Sequence, residues 1–324
     1  MKKIVICIIC ILTVLSFFGC TKGNPINNSS NSSSTILEMP EVSPNEQVAA
    51  SFGHGMITDL PDGHFIYNGS DIHFQYRFDN GEQECSVALM LFVDGYSQTY
   101  FTNENKKAGV LSEYTLKPNE SKIIDVYFTP ITGKKGQVSK LNINVMLNPS
   151  YFPPDDSYVS FDNNHSISQI LPQSILFEKD VQNSPKPSDY NYSFDSIDTE
   201  ILSDKTMNID ENTYLSVSPI DSIELQSGGS EISLTGYGGE ETEYRICCFV
   251  NHKPILVFNG AAYTDVKISK NQSTKLKITL LPNMINDLKE KNTIYFIAVP
   301  INTNNNNVLT IKTDSQILQY IKES

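Results

Sequence analysis

Between Ile72 and Phe78 the chain reads Ile-His-Phe-Gln-Tyr-Arg-Phe. Ile72, Phe74, Tyr76 and Phe78 fall on one side of an extended backbone, and His73, Gln75 and Arg77 on the other. A period of two marks a strand with one buried face and one wet face. Further short apolar runs lie at 86–93, 99–102, 123–128, 141–147 and 167–177, with the turn signals Asp79-Asn80-Gly81 and Asp94-Gly95 between them. No stretch of this half sustains a 3.6-residue period over three turns, so the chain is expected to be all-β. A helical tendency appears only at Asn286–Lys291 and in the last residues.

The second half repeats the first. Phe92-Val93-Asp94-Gly95-Tyr96 is echoed by Phe249-Val250-Asn251-His252-Lys253 at an offset of 157. Asn119-Glu120-Ser121, followed by an alternating strand that ends in Pro130, is echoed by Asn271-Gln272-Ser273 and a strand that ends in Pro282, at an offset of 152. Ser168-Gln169-Ile170-Leu171 recurs as Ser315-Gln316-Ile317-Leu318 at an offset of 147. Three matches in the right order, with offsets that shrink as loops shorten, point to duplication. Each copy exceeds a hundred residues and is large enough for its own core, so two related domains are expected and not a solenoid.

Around these copies the chain divides into segments: 1–19, 20–45, a first β-sandwich at 46–178, a linker at 179–204, and a second sandwich at 205–324. The linker reading rests on Asn183-Ser184-Pro185-Lys186-Pro187-Ser188, where proline blocks pairing and apolar residues are scarce. Residues 20–45 are rich in Asn and Ser and should form a flexible tether. Random-coil scaling gives it a reach of roughly 25 to 30 Å.

Segment 1–19 has a basic start, Lys2-Lys3, an apolar run from Ile4 to Phe18, and Gly19 before Cys20. That is the pattern of a secretory signal peptide. Its end, Ser16-Phe17-Phe18-Gly19-Cys20, resembles the lipobox of bacterial lipoproteins, although Phe17 stands where that family usually has Leu. The resemblance implies cleavage before Cys20, attachment of diacylglycerol to its thiol with palmitate-type acyl chains, and a membrane-anchored protein on the extracytoplasmic face.

Composition narrows the partners. Lys and Arg number 24 against 37 Asp and Glu, a formal charge of −13, which becomes −15 once Lys2 and Lys3 leave with the signal. Phosphate neutralisation needs a basic face, so nucleic acid is excluded as an expected partner. Membrane contact is expected through the lipid alone. Of six cysteines, Cys85, Cys247 and Cys248 remain in the body of the chain, too few for a disulfide framework. Cys247 and Cys248, adjacent on a strand, should point to opposite faces as small buried residues.

Chemistry is sparse. His54 and His64, with Asp59 and Asp62, satisfy no metal-ligand spacing, and His165 and His252 read as turn residues. No Gly-x-Ser-x-Gly elbow or phosphate loop occurs. The loop of the first copy that lacks an aromatic counterpart in the second is the candidate binding loop: Tyr151, Phe152, Asp155, Asp156, Tyr158 and Phe161. Its carboxylates could offer oxygen to calcium, but without an EF-hand pattern the reading retained is a solvated acidic loop. Its aromatic residues either form a contact surface for protein or sugar or cap the sandwich core.

Seven or eight short strands per copy, with turns every eight to twelve residues, indicate β-sandwiches. The pattern resembles bacterial immunoglobulin-like domains, without the Cys…Trp…Cys marker. The expected protein is therefore a lipid-anchored pair of tandem immunoglobulin-like sandwiches that binds and does not catalyse, without metal or cofactor. Its expected role is an accessory or scaffold subunit at the membrane or envelope. The alternatives are a surface receptor or adhesin for host protein or glycan and, from another class, a metal-assisted hydrolase.

Overall fold

The structure is a computed structural model that describes residues 52–154, 161, 163–197, 208–209, 211–220, 222–303 and 308–322. The signal segment, Cys20 and the tether lie outside them, as do Asp155, Asp156 and Tyr158. The first copy holds β1 (Phe52–Met56), β2 (Phe65–Tyr67), β3 (Ile72–Asn80), β4 (Cys85–Val93), β5 (Tyr96–Ser97), β6 (Phe101–Thr102), β7 (Ser112–Leu116), β8 (Ser121–Phe128), β9 (Val138–Leu147), β10 (Ile167–Gln169) and β11 (Gln173–Phe177). The second holds β12 (Ser193–Asp195), β13 (Thr213–Ser218), β14 (Ser222–Gln226), β15 (Ser230–Gly238), β16 (Thr242–Val250), β17 (Lys253–Pro254), β18 (Tyr263–Ile268), β19 (Ser273–Leu280), β20 (Lys291–Ile301), β21 (Ile311–Lys312) and β22 (Gln316–Ile321).

Four sheets form two sandwiches. In the first, β1-β3-β8-β6 faces β2-β11-β9-β4-β5, with β7 and β10 joined at the sides. In the second, β12-β19-β15-β13 faces β14-β22-β20-β16-β17, with β18 and β21 at the sides. Both first strands split between the sheets: β1 and β13 pair antiparallel with β3 and β15, while β2 and β14 run parallel to β11 and β22. In immunoglobulin letters this is A-B-E-D against A′-G-F-C-C′, so the chain is all-β with two immunoglobulin-like sandwiches.

The alternation read from Ile72 to Phe78 is the one observed. Phe74, Tyr76 and Phe78 are fully buried in the first core, opposite Val87, Leu89, Leu91, Ile143 and Val145. The second core mirrors it with Ile232, Leu234, Ile246, Cys248, Phe296 and Ile278. Among the described residues there is no α-helix; a single 3-10 turn at Pro282–Met284 precedes Asn286–Lys291, the stretch whose sequence carries a helical tendency.

Strand register tests the repeat residue by residue. Val93 pairs with Leu141 and Val250 with Ile294, at the expected offset of 157 for the first strand. Ile72 pairs with Phe128 and Ser230 with Leu280, which fits the second offset of 152. The third match does not hold in register. Leu141 also pairs with Gln173, and Ile294 with Gln316, so Gln316 corresponds to Gln173 and not to Gln169. The Ser-Gln-Ile-Leu recurrence is coincidental, because both segments draw on the same few strand-forming residues.

Within the stretch expected to be a linker, 179–204, residues 188–195 contribute structure to the second sandwich. Ser188 bridges to Thr264, and the Tyr190 ring packs on Phe258 at 5.4 Å while its hydroxyl donates to the Lys277 carbonyl at 2.6 Å. Then β12 pairs with Ser273–Lys275 of β19. In the first sandwich β6 lies on the matching edge, against Val126 and Tyr127 of β8. The second copy has a shorter connection after β17, and the segment preceding the domain covers that edge instead.

Candidate functional site

Strands β4, β9, β16 and β20 are buried on both faces. Their second faces meet in a third apolar layer: Met90, Phe92, Tyr96 and Met146 of the first sandwich against Cys247, Phe249, Tyr263, Tyr295, Ile297 and Val299 of the second. The two sandwiches thus belong to a single compact unit. Phe92 and Phe249, equivalent by the repeat, touch each other edge to face at 6.4 Å, as a pseudo-twofold seam requires. Each large apolar side chain buried here contributes roughly 1.5 to 3 kcal/mol, so apolar packing and not rim charge holds the seam. Asn142 and Asn144, also buried, leave amide atoms without a hydrogen-bond partner among the described residues, which offsets part of that gain.

Both ends of the seam are closed by equivalent two-residue turns, Asp94-Gly95 and Asn251-His252, all with positive φ. At the first end, a Cβ on Gly95 would lie 2.7 Å from the Arg245 Cβ, so glycine is required by both backbone and neighbour. The Arg245 guanidinium stacks over Tyr96 at 4.0 Å, grips Asp265 with two N–H bonds of 2.7 Å, and donates to the Asp94 carbonyl at 2.8 Å. Beside it opens a polar cleft of about 540 Å³ walled by Asp94, Tyr96, Gln137, Lys140, Arg245 and Asn302.

The second end is built around imidazoles. His252, in the place of Gly95, accepts from the Tyr295 hydroxyl at Nδ1 (3.0 Å) and donates from Nε2 to the Pro149 carbonyl (2.7 Å). His165, fully buried, lies 5.4 Å from the His252 ring, and its Nδ1 meets the Ser315 hydroxyl at 3.0 Å. The Lys312 amine donates to Ser315 Oγ and the Thr313 carbonyl, and sits 4.7 Å over the Tyr295 ring. Burial holds His252 below its ordinary pKa and His165 down to about 3, and His252 and Lys312 add to the repulsion on His165. Enclosure likewise brings the Lys312 amine down to about 7, against a small opposing pull from Asp314.

This places part of the candidate loop. Phe161 is buried against the His165 ring at 4.6 Å, and Tyr151 and Phe152 stand edge-on to it at 6.2 and 5.8 Å. Phe161 is therefore a roof over the seam, while Tyr151 and Phe152 are half-buried beside it. His165 and His252 are turn residues, both at left-handed φ, and they are also the centre of the cluster. His54 lies on β1 with its ring nitrogens engaged by the Tyr76 and Ser168 hydroxyls, not with His64. Among the described residues no group of three or more His, Cys, Asp or Glu is placed to hold a metal. Cys248 lies in the second core and Cys247 in the seam, as strand alternation demands; burial raises both thiols well above their ordinary pKa.

No protein family matches the sequence, and no curated protein matches it. Solved structures with similar regions include the cupredoxin domain of amoB from Nitrosocaldus yellowstonii, at a TM-score of 0.23 and 10% identity over 38% of this chain. This chain spans 63% of that one. The CsuC-CsuE chaperone-tip adhesion subunit complex from Acinetobacter baumannii aligns at 0.21 and 11% identity, over 85% of this chain and 100% of that one. The periplasmic chaperone SfaE aligns at 0.20 and 7%, over 84% and 100%. The immunoglobulin-like assignment rests on the strand pairing itself.

Proposed function

We propose that this is a lipid-anchored, extracytoplasmic binding protein that serves as an accessory or scaffold subunit at the membrane or envelope. The observation that supports this reading is the seam. By burying the faces of β4, β9, β16 and β20 against each other, the chain converts two sandwiches into one body whose outer sheets and end loops keep a fixed spacing while the seam is closed. A fixed spacing suits a part that must bridge or position other proteins. The lipid at Cys20 would hold that body near the bilayer, within the roughly 25 to 30 Å reach of its tether. Tyr151 and Phe152, half-buried at the seam roof, are its proposed contact residues, and it works by binding without a cofactor.

The test is chemical cross-linking in the native cells, with the wild type compared with Cys20→Ser. One membrane or envelope protein recovered repeatedly from the wild type, and lost when Cys20→Ser releases the chain, is the expected result. Retention of Cys20→Ser in the membrane fraction would refute the anchor. Random neighbours alone would refute the accessory role and favour an outward-facing receptor.

A further inference from the structure

The seam end built from His165 and His252 has a consequence that does not depend on what the protein binds. Two imidazoles lie 5.4 Å apart, one from each sandwich. Among the described residues, the groups that face them carry little negative charge. His165 is met by Phe161, the Ser315 hydroxyl, His252 and Lys312. The carbonyls of Pro149 and Tyr151 favour its charged form but are outweighed by burial and by the two neighbouring bases. His252 is met by Tyr295, the Pro149 carbonyl, Lys312 and, more weakly, Glu113 of β7, which itself accepts a hydrogen bond from the Ser150 hydroxyl. Asp314 acts on Lys312. In the closed seam, protons on both rings would place cations together, and among the described residues the one carboxylate acting on them is Glu113, on His252.

We infer that the seam is a protonation-controlled joint: apolar packing holds the two sandwiches face to face while the rings of His165 and His252 are neutral, and proton uptake by them opens the sheets from one another. Opening returns both imidazoles to water, where they titrate near 6.5, and so couples separation to acid. Each sandwich keeps its own core, since the first and second apolar clusters share no residue with the seam layer. The connection between them runs through Asn183, which has positive φ, and through Pro185 and Pro187, outside the strands that the seam joins.

The three cysteines of the body provide a reporter. Cys247 faces the seam, Cys85 and Cys248 face the two cores, and all three are buried thiols. Opening exposes Cys247 alone, whereas unfolding exposes all three. The folded full chain is treated with a pyridyl disulfide from pH 7.5 down to 4.5, and labelling at each cysteine is read by fragment mass spectrometry. The expected result is a rise of about tenfold or more in Cys247 labelling below pH 6.5 with Cys85 and Cys248 still protected, and a transition at least about one pH unit lower in His165→Asn/His252→Asn. Asn is chosen because it tolerates the left-handed backbone of both positions. Should the double variant fail to fold, His252→Gly, which copies Gly95 of the equivalent turn, is expected to shift the transition in the same direction. Protection of Cys247 at pH 4.5 in folded protein, labelling in step with the core cysteines, or an unshifted transition in the variant would overturn the inference.

Discussion

Replacing Arg245 with alanine tests how much of the seam's strength lies at its charged end. The guanidinium is 11% exposed and its partner Asp265 24% exposed. The substitution removes two charge-assisted bonds of 2.7 Å to Asp265, one of 2.8 Å to the Asp94 carbonyl, and the stack on Tyr96 at 4.0 Å. It leaves a carboxylate beside an apolar layer. Breaking a well-buried pair from one side costs about 3 to 5 kcal/mol; water reaching Asp265 brings the expectation to the lower end, and the lost ring contact of about 1 kcal/mol keeps it there. Arg245→Ala should therefore cost about 3 kcal/mol in urea unfolding followed by far-ultraviolet circular dichroism. Removing Asp265 as well should add little, because the stranded charge goes with it, which gives a coupling of about 2 kcal/mol in the double-mutant cycle. Arg245→Lys should recover less than half, since an ammonium cannot reproduce the two-pronged grip. A loss below about 1 kcal/mol for Arg245→Ala, or full additivity with Asp265→Ala, would show that the pair is solvated and that the reasoning from burial fails.

Two further outcomes follow from particular contacts. Tyr190→Ala should lower stability by about 2 to 3 kcal/mol in thermal unfolding, while Tyr190→Phe, which keeps the ring on Phe258 and loses only the bond to the Lys277 carbonyl, should cost about 1 kcal/mol. Lys312 has a folded pKa of about 7 against an ordinary 10.5, so at this group the unfolded chain binds more protons between these values and its contribution to stability rises with pH across that window. The buried thiols ionise in the unfolded chain over the same window and lower stability there, so the comparison is with Lys312→Met: from pH 7.5 to 9.5 the wild type should change more favourably than the variant by on the order of 2 kcal/mol.

The sandwiches were legible because their physics is local. Alternation at Ile72–Phe78 and the Asp94-Gly95 turn report burial of one face and reversal of direction within a few residues. The repeat was legible where turn chemistry anchored it, at Asp94-Gly95 with Asn251-His252. It misled at Ser168–Leu171, where composition resembled and register did not. The segment around Tyr190 reads as a linker because proline and low apolar content predict no independent structure, and a single tyrosine filling a neighbour's open edge leaves almost no local trace.

The alternation argument missed the seam, although the sequence carries a signal of the opposite kind for it. Val87-Ala88-Leu89-Met90-Leu91-Phe92-Val93 and Ile246-Cys247-Cys248-Phe249-Val250 do not alternate, and a strand apolar on both sides must be covered on both sides. One cover is its own sandwich; the other has to come from elsewhere. In β9 the same face carries Asn142 and Asn144, which interrupt the pattern and conceal it, whereas β20 answers with Tyr295 and Ile297. The histidines were harder to read, because a turn position explains His252 fully until His165 arrives beside it from a loop 87 residues earlier. That distance is what made the cluster illegible: its chemistry belongs to neither copy and exists only once the two sheets have met.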